Sequence, residues 1–322
     1  MQDTIIKKVL IAGGAGFIGS NLCHRLVSEG KHVLCVDNLS TGGMENISSL
    51  MDKPNFRFLH HDVILPLQLG EPVRLCAIYN FACPASPGHY QKEPIHTTQT
   101  CVVGTLNLLM LAREHQCVFL QSSTSEVYGD PDAAHHPQCE DYRGNVNPIG
   151  IRSCYDEGKR CAESLCMDYH RQYGTKVKII RIFNTYGPRM AMDDGRVVSN
   201  FIVQALRGKP LTVYGDGSQT RSFQYIDDLL DGILRMVQTP DGFTGPVNLG
   251  NPEEYTVKEL AKKVLHLTGS PSELQYLPLP ADDPCQRRPD ISLARRRLGW
   301  VPIVKIEGGL RRAIEYLKQR VV

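Results

Sequence analysis

Residues Lys7–Gly19 read KKVLIAGGAGFIG, and this stretch decides the fold. It begins with a short apolar run containing β-branched residues, which predicts a buried strand. Gly13, Gly16 and Gly19 follow at once, and an apolar helical pattern then begins at Leu22. Strand, glycine turn and helix bring backbone N–H groups and a helix N-terminus to one point, which suits the pyrophosphate of a dinucleotide. The spacing is GxxGxxG rather than GxGxxG, and the alternative interpretation is a glycine-rich loop without a ligand.

The next apolar run, 32–36, predicts a second strand that ends in Asp37. A carboxylate about twenty residues beyond the glycines can accept hydrogen bonds from ribose hydroxyls, and it repels a 2′-phosphate. Asp37 therefore favours NAD over NADP as the cofactor.

Further strands are predicted at 56–60, 77–81, 117–122 and 176–182, and they alternate with helices that include 94–115 and 155–173. This alternation predicts an α/β fold with a doubly wound, Rossmann-like parallel sheet. After residue 183 the rhythm changes to a smaller, mixed set of elements. We expect an NAD-binding domain over 1–183 and an interwoven substrate lobe over 184–322. The apolar stripe on helix 94–115 is predicted to be core, and its members are Val102, Leu106, Leu109 and Met110.

Composition points away from several classes of protein. The 322 residues carry a formal charge of only +2, which gives no reason to expect a nucleic-acid partner. No apolar run reaches the length of a membrane span, and the polar first residues are unlike a signal peptide. The eleven cysteines are scattered without a CxxC pair, so we expect neither a metal site nor a disulfide framework. The expected location is the reducing cytoplasm.

Tyr155 and Lys159 are four residues apart on a predicted helix, so their side chains lie on one face. A free tyrosine ionises near pH 10, and a neighbouring ammonium lowers that pKa. Such a phenol can remove a hydroxyl proton during hydride transfer, and the Ser/Thr run at 122–125 can hold the same oxygen. The alternative interpretation is an ordinary solvated helix face.

Basic residues recur in the loops of the second half of the chain. They could clamp the diphosphate of a second nucleotide, or they could be solvated surface groups. These residues are Arg189, Arg196, Arg221, Arg287 and Arg288.

Together these motifs resemble the extended short-chain dehydrogenase/reductase family, whose members rework nucleotide sugars. The resemblance runs from Lys7 to the C-terminal helix, and within the family it is strongest to enzymes that decarboxylate UDP-glucuronate. The stretches that carry it are STSEVYGDP (123–131), HPQCEDYRGNVNPIGIRSCYDEGKR (136–160), RIFNTYGPRM (181–190), DGRVVSNFI (194–202), LTVYGDGSQTRSFQY (211–225) and DDPCQRRPDI (282–291).

The resemblance implies a three-step reaction on UDP-glucuronate. NAD oxidises the sugar 4-hydroxyl, the resulting β-keto acid loses carbon dioxide, and the retained NADH reduces the ketone to give UDP-xylose. Tyr155 would be the base, Lys159 would lower its pKa and hold the nicotinamide ribose, and Thr124 would hydrogen-bond the same sugar oxygen.

Glu126 has two candidate roles in this scheme. The related sugar 4,6-dehydratases carry an Asp-Glu pair that expels water, whereas this chain has Ser125 in the first position. A decarboxylation has no hydroxyl leaving group, so the missing acid fits the reaction. Glu126 would contact the sugar or relay a proton to carbon 5, and the alternative is a buried structural carboxylate.

The resemblance also implies the residues that contact the cofactor and the substrate. Expected NAD contacts are Gly13, Gly16, Phe17, Ile18, Gly19, Asp37, Asn38, Ser40, Thr41, Gly42, Asp62, Val63, Ala82, Tyr155 and Lys159. Expected contacts with the UDP-sugar are Ser125, Asn184, Arg196, Tyr214, Arg221 and Arg287, with Arg287 also near the sugar carboxylate. Gln99 and Cys101 depart from the Lys and Asn usual in relatives, and Cys83 departs from the usual Ser; these positions are expected on the cofactor side.

Three alternatives remain open at this point. The chain could be an oxidative decarboxylase that releases UDP-4-keto-pentose and NADH, or another nucleotide-sugar dehydratase or epimerase. It could also be a non-catalytic, NAD-sensing scaffold protein of the same fold. Relatives commonly form homodimers through the helices equivalent to 94–115 and 155–173, so a homodimer is expected.

Overall fold

A computed structural model describes residues 7–69, 73–278 and 286–321. The strands are β1 (Lys7–Ala12), β2 (His32–Asp37), β3 (Phe56–His60), β4 (Arg74–Asn80), β5 (Val118–Thr124), β6 (Val177–Ile182), β7 (Thr185–Tyr186), β8 (Leu211–Tyr214), β9 (Thr220–Ser222), β10 (Gln224–Tyr225), β11 (Val247–Leu249), β12 (Glu254–Thr256), β13 (Leu274–Leu277) and β14 (Gln286–Arg287). The helices are α1 (Phe17–Ser28), α2 (Pro87–Tyr90), α3 (Pro94–Gln99), α4 (Thr105–Glu114), α5 (Ser153–Tyr173), α6 (Val197–Leu206), α7 (Ile226–Val237), α8 (Val257–Thr268), α9 (Ser292–Leu298) and α10 (Ile306–Lys318).

Seven parallel strands form the central sheet, in the order β11-β6-β5-β4-β1-β2-β3. The chain starts at β1, runs outward to β3, and then crosses back to β4 before running the other way. The strand order therefore reverses between β1 and β4, and ligands bind beyond the carboxyl ends of the strands at such a point. The predicted doubly wound, Rossmann-like sheet is confirmed.

Both faces of the sheet are buried, as the apolar strands require. Successive side chains of β1 enter different clusters: Val9 and Ile11 pack into one, and Leu10 and Ala12 into the other. This alternation follows from the two-residue repeat of a strand, and helices cover each face.

The predicted helix 94–115 is interrupted by a π-helical segment, Thr100–Gly104, between α3 and α4. Leu109 is buried, but Leu106 is 36% exposed and Met110 is 56% exposed. The prediction of a core stripe was therefore wrong for Leu106 and Met110. The buried side of α4 carries Thr105, Leu108, Leu109 and Ala112, and Leu106 and Met110 lie on its other side.

The second half of the chain adds small pairings above the sheet. Strand β9 pairs with β12 and β14, β8 pairs with β13, and β7 pairs with β10. Strand β11 instead returns to the central sheet beside β6, so the second half contributes to both layers. The division at residue 183 stays a prediction, and residues 282–285 of the last quoted motif lie outside the described ranges. Within those ranges, no helix has both the length and the apolar character to cross a bilayer.

Candidate active site

A cavity of about 1240 Å³ opens beyond the carboxyl ends of the sheet strands. The glycine turn after β1 lines one side, and loops from the second half of the chain line the other. Every residue that the family resemblance implies as a catalytic group or as a ligand contact borders this cavity. They are Gly13, Gly16, Phe17, Ile18, Gly19, Asp37, Asn38, Ser40, Thr41, Gly42, Asp62, Val63, Ala82, Thr124, Ser125, Glu126, Tyr155, Lys159, Asn184, Arg196, Tyr214, Arg221 and Arg287.

The glycine turn has the close backbone packing that a dinucleotide site needs. Gly13 has a φ of +72°, and a Cβ there would lie 2.6 Å from the Phe81 carbonyl carbon. A Cβ on Gly19 would lie 2.1 Å from the carbonyl oxygen of Gly13. Only glycine fits at these positions, and the turn leads into the N-terminus of α1, where N–H groups attract phosphate. These residues fit NAD.

Asp37 at the end of β2 stabilises this turn through hydrogen bonds. Its carboxylate accepts hydrogen bonds from the backbone N–H groups of Ala15 (2.9 Å) and Leu39 (2.8 Å). Burial nevertheless raises the pKa of Asp37 above its ordinary value, with the backbone bonds opposing that shift. The carboxylate retains lone pairs for ribose hydroxyls, so it can serve both the turn and a ligand.

Asp62 is held beside the same part of the cavity by two side chains. Asn38 Nδ2 donates to Asp62 Oδ2 at 2.8 Å, and His96 Nε2 lies 2.9 Å from the same oxygen. Burial works to raise the pKa of Asp62, but hydrogen bonds from the Ile64 N–H, His96 and Asn38 outweigh it and lower the pKa. Sequence reasoning missed His96, because a single histidine at a helix start carries no distinguishing pattern.

Tyr155 and Lys159 are both buried on α5, one helical turn apart. The Lys159 ammonium donates to the Ser122 carbonyl at 3.0 Å and lies 5.8 Å from the centre of the Tyr155 ring. Thr124 is close enough to lower the pKa of the Tyr155 phenol. The structure thus brings together the phenol, the hydroxyl and the ammonium predicted from the sequence.

The predicted effect of Lys159 on the phenol stays a prediction, because burial is the dominant influence on Tyr155 in this structure. Burial raises the pKa of Tyr155 well above its ordinary value, and the neighbouring Cys83, Cys101 and Glu126 reinforce this, while Thr124 opposes it. Lys159 is directed at a backbone carbonyl rather than at the phenol oxygen, so desolvation dominates.

Tyr90 stacks on Tyr155. The ring centres are 5.0 Å apart and the ring planes differ by 4°. The Tyr90 hydroxyl is buried and has no hydrogen-bond partner within the described part of the chain. Sequence reasoning missed this residue because α2 and α5 meet only in the folded chain.

Glu126 lies near Tyr155, between the guanidinium groups of two arginines. Arg152 donates to Glu126 Oε2, and Arg287 Nη2 lies 3.4 Å from the same oxygen. Burial works to raise the pKa of Glu126, but Arg287 and Arg152 outweigh it and lower the pKa. Arg287 also donates to the backbone carbonyl of Ser125. Glu126 is therefore ionised at neutral pH.

Asp156 completes this group of charges. It is buried one turn beyond Arg152, with Oδ2 3.9 Å from the Arg152 Nε. Its Oδ1 has no hydrogen-bond partner among the described residues. Burial, reinforced by Glu126 and opposed by Arg152, raises the pKa of Asp156 to about 7. Neither Arg152 nor Asp156 was predicted, although both lie within one helical turn of Tyr155.

The five arginines grouped by sequence reasoning do not all reach the cavity. Arg189 lines it and donates to Asn21 on α1 at 2.8 Å, and Arg196 forms a two-bond pair with Asp194. Arg288 is not among the lining residues and its side chain is 41% exposed, which fits the alternative of a surface group. Its side chain lies 3.5 Å from a carboxylate oxygen of Glu254.

The positions that depart from the family pattern differ in whether they line the cavity. Gln99 is exposed and does not line the cavity, so the expectation that it lies on the cofactor side was wrong. Cys83 lines the cavity, and Cys101 is buried directly behind it.

Comparison with known proteins agrees with this geometry. Residues 10–313 match the family model described as GDP-mannose 4,6 dehydratase. UDP-glucuronic acid decarboxylase 2 of Arabidopsis thaliana is 53% identical over 314 residues, covering 98% of this chain and 69% of the relative. UDP-glucuronic acid decarboxylase 1 of Danio rerio is 50% identical over 313 residues, covering 97% and 73%. The chain belongs to the UDP-glucuronic acid decarboxylase family. The resemblance to the extended short-chain dehydrogenases/reductases is thereby confirmed.

Solved structures similar to this family member include related enzymes of nucleotide-sugar chemistry. UDP-glucose 4-epimerase from Thermotoga maritima, crystallised with UDP-glucose, has a TM-score of 0.90 at 29% identity and covers 98% of this chain and 100% of its own. UDP-glucuronic acid 4-epimerase from Bacillus cereus, in complex with UDP-glucuronic acid and NAD, has a TM-score of 0.83 at 29% identity, with coverages of 97% and 99%.

Proposed function

We propose that this chain converts UDP-glucuronate to UDP-xylose in an NAD-dependent, redox-neutral decarboxylation through a 4-keto intermediate. The observation that carries the proposal is the charge beside Tyr155. The guanidinium groups of Arg152, Arg221 and Arg287 all act on one ionised carboxylate, Glu126. Among the described residues, these three guanidinium groups face two carboxylates, Glu126 and Asp156, and this positive balance favours a sugar that brings its own carboxylate. Relatives named UDP-glucuronic acid decarboxylase at 50–53% identity support the same substrate.

NAD is the cofactor, and when bound it accepts a hydride from carbon 4 of the sugar and later returns it. The Tyr155 phenol takes the proton of the 4-hydroxyl and gives it back at the end. Thr124 holds the same oxygen, and Lys159 fixes the position of the phenol through the helix they share. Because burial raises the pKa of Tyr155, the phenol is protonated at neutral pH until positive charge is brought beside it.

A ketone at carbon 4 is β to the sugar carboxylate, so it accepts the electron pair that remains when carbon dioxide leaves. Arg287 is buried and points its guanidinium towards Ser125 and Glu126, where it can hold the carboxylate in place before the bond breaks. Glu126 is kept ionised by its arginines, so it is a hydrogen-bond acceptor rather than a proton donor. Of the two roles expected for Glu126, we therefore favour contact with the sugar.

The UDP portion is assigned to the side of the cavity formed by the second half of the chain. Arg196 and Arg221 supply positive charge there, and Asn184 and Tyr214 supply polar and aromatic surface. Guanidinium groups suit a diphosphate because they donate two hydrogen bonds in a fixed geometry. These four residues and the NAD contacts described above are our proposed ligand contacts.

The direct test incubates purified protein with UDP-glucuronate and NAD and identifies the sugar nucleotide by mass spectrometry and NMR. We expect UDP-xylose without accumulation of NADH, and no product from Tyr155→Phe. UDP-glucose is the matched control substrate, because it differs only by carrying a hydroxymethyl group in place of the carboxylate. UDP-4-keto-pentose with stoichiometric NADH would replace the proposal with the oxidative enzyme. Absence of carbon dioxide release would exclude both decarboxylases.

We also propose that the chain forms a homodimer through α3, α4 and α5. Apolar side chains on α3, α4 and the turn between them face outward, with Ile95 76% exposed and Met110 56% exposed. A second copy of the same surface would bury them. Light scattering after gel filtration should give twice the mass of one chain. Met110→Glu should shift the mass towards the monomer, whereas Met51→Glu, at an exposed methionine elsewhere, should not; equal behaviour of the two variants would contradict this interface.

The cytoplasm is our proposed location. The ten cysteines in the described part of the chain are all free thiols, which suits a reducing compartment. A fluorescent fusion that accumulates in an oxidising compartment would contradict this assignment.

A further inference from the structure

Two thiols lie against each other behind the catalytic tyrosine. Cys83 follows β4 in a loop that lines the cavity, and Cys101 lies in the π-helical segment between α3 and α4. Their Sγ atoms are 3.2 Å apart, although 18 residues separate them in the chain. A disulfide bond is about 2.05 Å long, so the two sulfur atoms need to approach by only about 1 Å to form one.

This thiol pair is packed directly onto the helix that carries the catalytic residues. Cys101 is 1% exposed, and a Cβ built on Gly158 would lie 2.8 Å from the Cys101 Cβ. Gly158 lies between Tyr155 and Lys159, so Cys101 rests on α5 where these two side chains originate. In their ionised form, both thiols raise the pKa of the Tyr155 phenol. Any movement of the pair is therefore transmitted to the catalytic residues.

The pair also has the chemical features of oxidisable thiols. Cys83 borders the cavity, so a small oxidant can reach it. A hydrogen bond from Cys83 and the nearby Lys159 charge lower the pKa of Cys101, whereas burial raises the pKa of Cys83. A thiol of lowered pKa in contact with a second thiol is the arrangement found in redox-sensitive cysteines.

We propose that Cys83 and Cys101 form a reversible disulfide with a peroxide as the oxidant, and that this bond switches off the decarboxylase. The switch rests on the function proposed above, whereas the disulfide site does not. One thiol loses its proton, the thiolate attacks a peroxide oxygen, and the O–O bond breaks to give a sulfenic acid, while the leaving hydroxide takes up the proton and departs as water. The second thiol then attacks that sulfur, the S–O bond breaks, and a second water leaves. In total, two thiols and one hydrogen peroxide give one disulfide and two waters.

The expected consequence follows from the distances. Closing the Sγ–Sγ distance from 3.2 Å to bond length moves the π-helical segment, the loop after β4, or both. Because Cys101 contacts Gly158, α5 must adjust, and Tyr155 and Lys159 move with it. A misplacement of about 1 Å at a catalytic group can reduce a rate by about 100-fold. We expect at least a tenfold loss of kcat, restored by dithiothreitol.

The test treats the NAD-loaded protein with hydrogen peroxide, maps disulfides by non-reducing peptide mass spectrometry, and measures activity before and after dithiothreitol. We expect a Cys83–Cys101 linkage together with reversible inactivation. Cys23 and Cys35 are fully buried in the core and provide an internal control that stays reduced. Cys101→Ser should lose both the linkage and the inactivation, whereas Cys154→Ser should retain both. Each variant is compared with its own untreated activity.

Three other outcomes would each decide part of the proposal. Oxidation confined to exposed thiols such as Cys76 and Cys161 would overturn the disulfide site. A Cys83–Cys101 linkage that leaves kcat unchanged would overturn the switch. If the untreated protein does not decarboxylate UDP-glucuronate, the proposed function and the switch both fail, and the peptide map alone still decides whether the disulfide site exists.

Discussion

Replacing Asp156 by asparagine should stabilise the protein in a pH-dependent way. The carboxylate is buried beside Glu126 and Arg152, and burial raises its pKa from an ordinary value of 3.8 to about 7. A folded-state pKa above the unfolded value means that the folded chain holds the proton more tightly. The ionised carboxylate therefore destabilises the fold, and this penalty grows as the pH rises from about 4 to 7. Below pH 4 the group is protonated in both states and contributes no penalty.

The size of the effect follows from the shift. One pKa unit corresponds to 1.36 kcal/mol, so a shift of about three units gives a penalty of about 4 kcal/mol above pH 7. At pH 5 the same relation gives a penalty of about 1 to 2 kcal/mol. Asparagine does not titrate, so the difference in stability between Asp156→Asn and the unchanged protein should increase by about 3 kcal/mol from pH 5 to pH 8.

Urea denaturation at pH 5 and pH 8 measures this difference directly. Any constant effect of the amide on packing cancels, because only the change between the two pH values is compared. Glu157→Gln is the matched control: the side chain is on the same helix, 39% exposed, and paired with Arg160 at 3.4 Å. An exposed ion pair contributes about 1 kcal/mol or less, so this variant should show little change between the two pH values. An Asp156→Asn difference that is equal at both pH values, or larger at pH 5, would refute the reasoning.

Three further predictions concern other parts of the structure. Tyr90→Leu should lower kcat by about tenfold, because a stacked aromatic pair contributes about 0.5–1.5 kcal/mol to holding the Tyr155 ring. Tyr90→Phe keeps the ring and should therefore retain most of kcat. Equal losses of kcat for the two variants in steady-state kinetics would contradict the stacking role. Gly19→Ala should abolish NAD binding in calorimetry, since its Cβ meets backbone at 2.1 Å, whereas Gly308→Ala has open space and should bind normally; retained binding by Gly19→Ala would contradict this. Lys178→Met should destabilise the fold by about 3 kcal/mol in urea denaturation. The buried ammonium donates to three backbone carbonyls after α7, and these carbonyls would lose their partner. An unchanged midpoint of the urea transition would show that the carbonyls find other donors.

Local pattern was sufficient for the sheet and for the nucleotide end of the cavity. The bounds of β1 and β3 coincide with those predicted from runs of apolar residues and their flanking turns. Each of these signals is contained within a few neighbouring residues, as is the glycine turn. Strand β11 was missed because a three-residue run with only two apolar residues, Val247 and Leu249, does not exceed the background of the sequence.

Apolar patterns that assume one uniform helix predicted less well which side chains are buried. The helix predicted over 94–115 is divided by the π-helical segment at 100–104, and Leu106 and Met110 on α4 are exposed. Apolar periodicity assumes 3.6 residues per turn throughout, and it does not reveal where that assumption fails.

The sequence by itself determined the Rossmann-like fold, the glycine turn with Asp37, and the pairing of Tyr155 with Lys159, because each depends on spacing along one or two adjacent elements. Only the tertiary structure decided the surroundings of those groups. Tyr90 reached Tyr155, Arg287 reached Glu126, and Cys83 reached Cys101 through contacts between segments distant in sequence. Burial and the charges gathered by folding set the pKa values at the site, and neither is encoded in the spacing of residues along the chain.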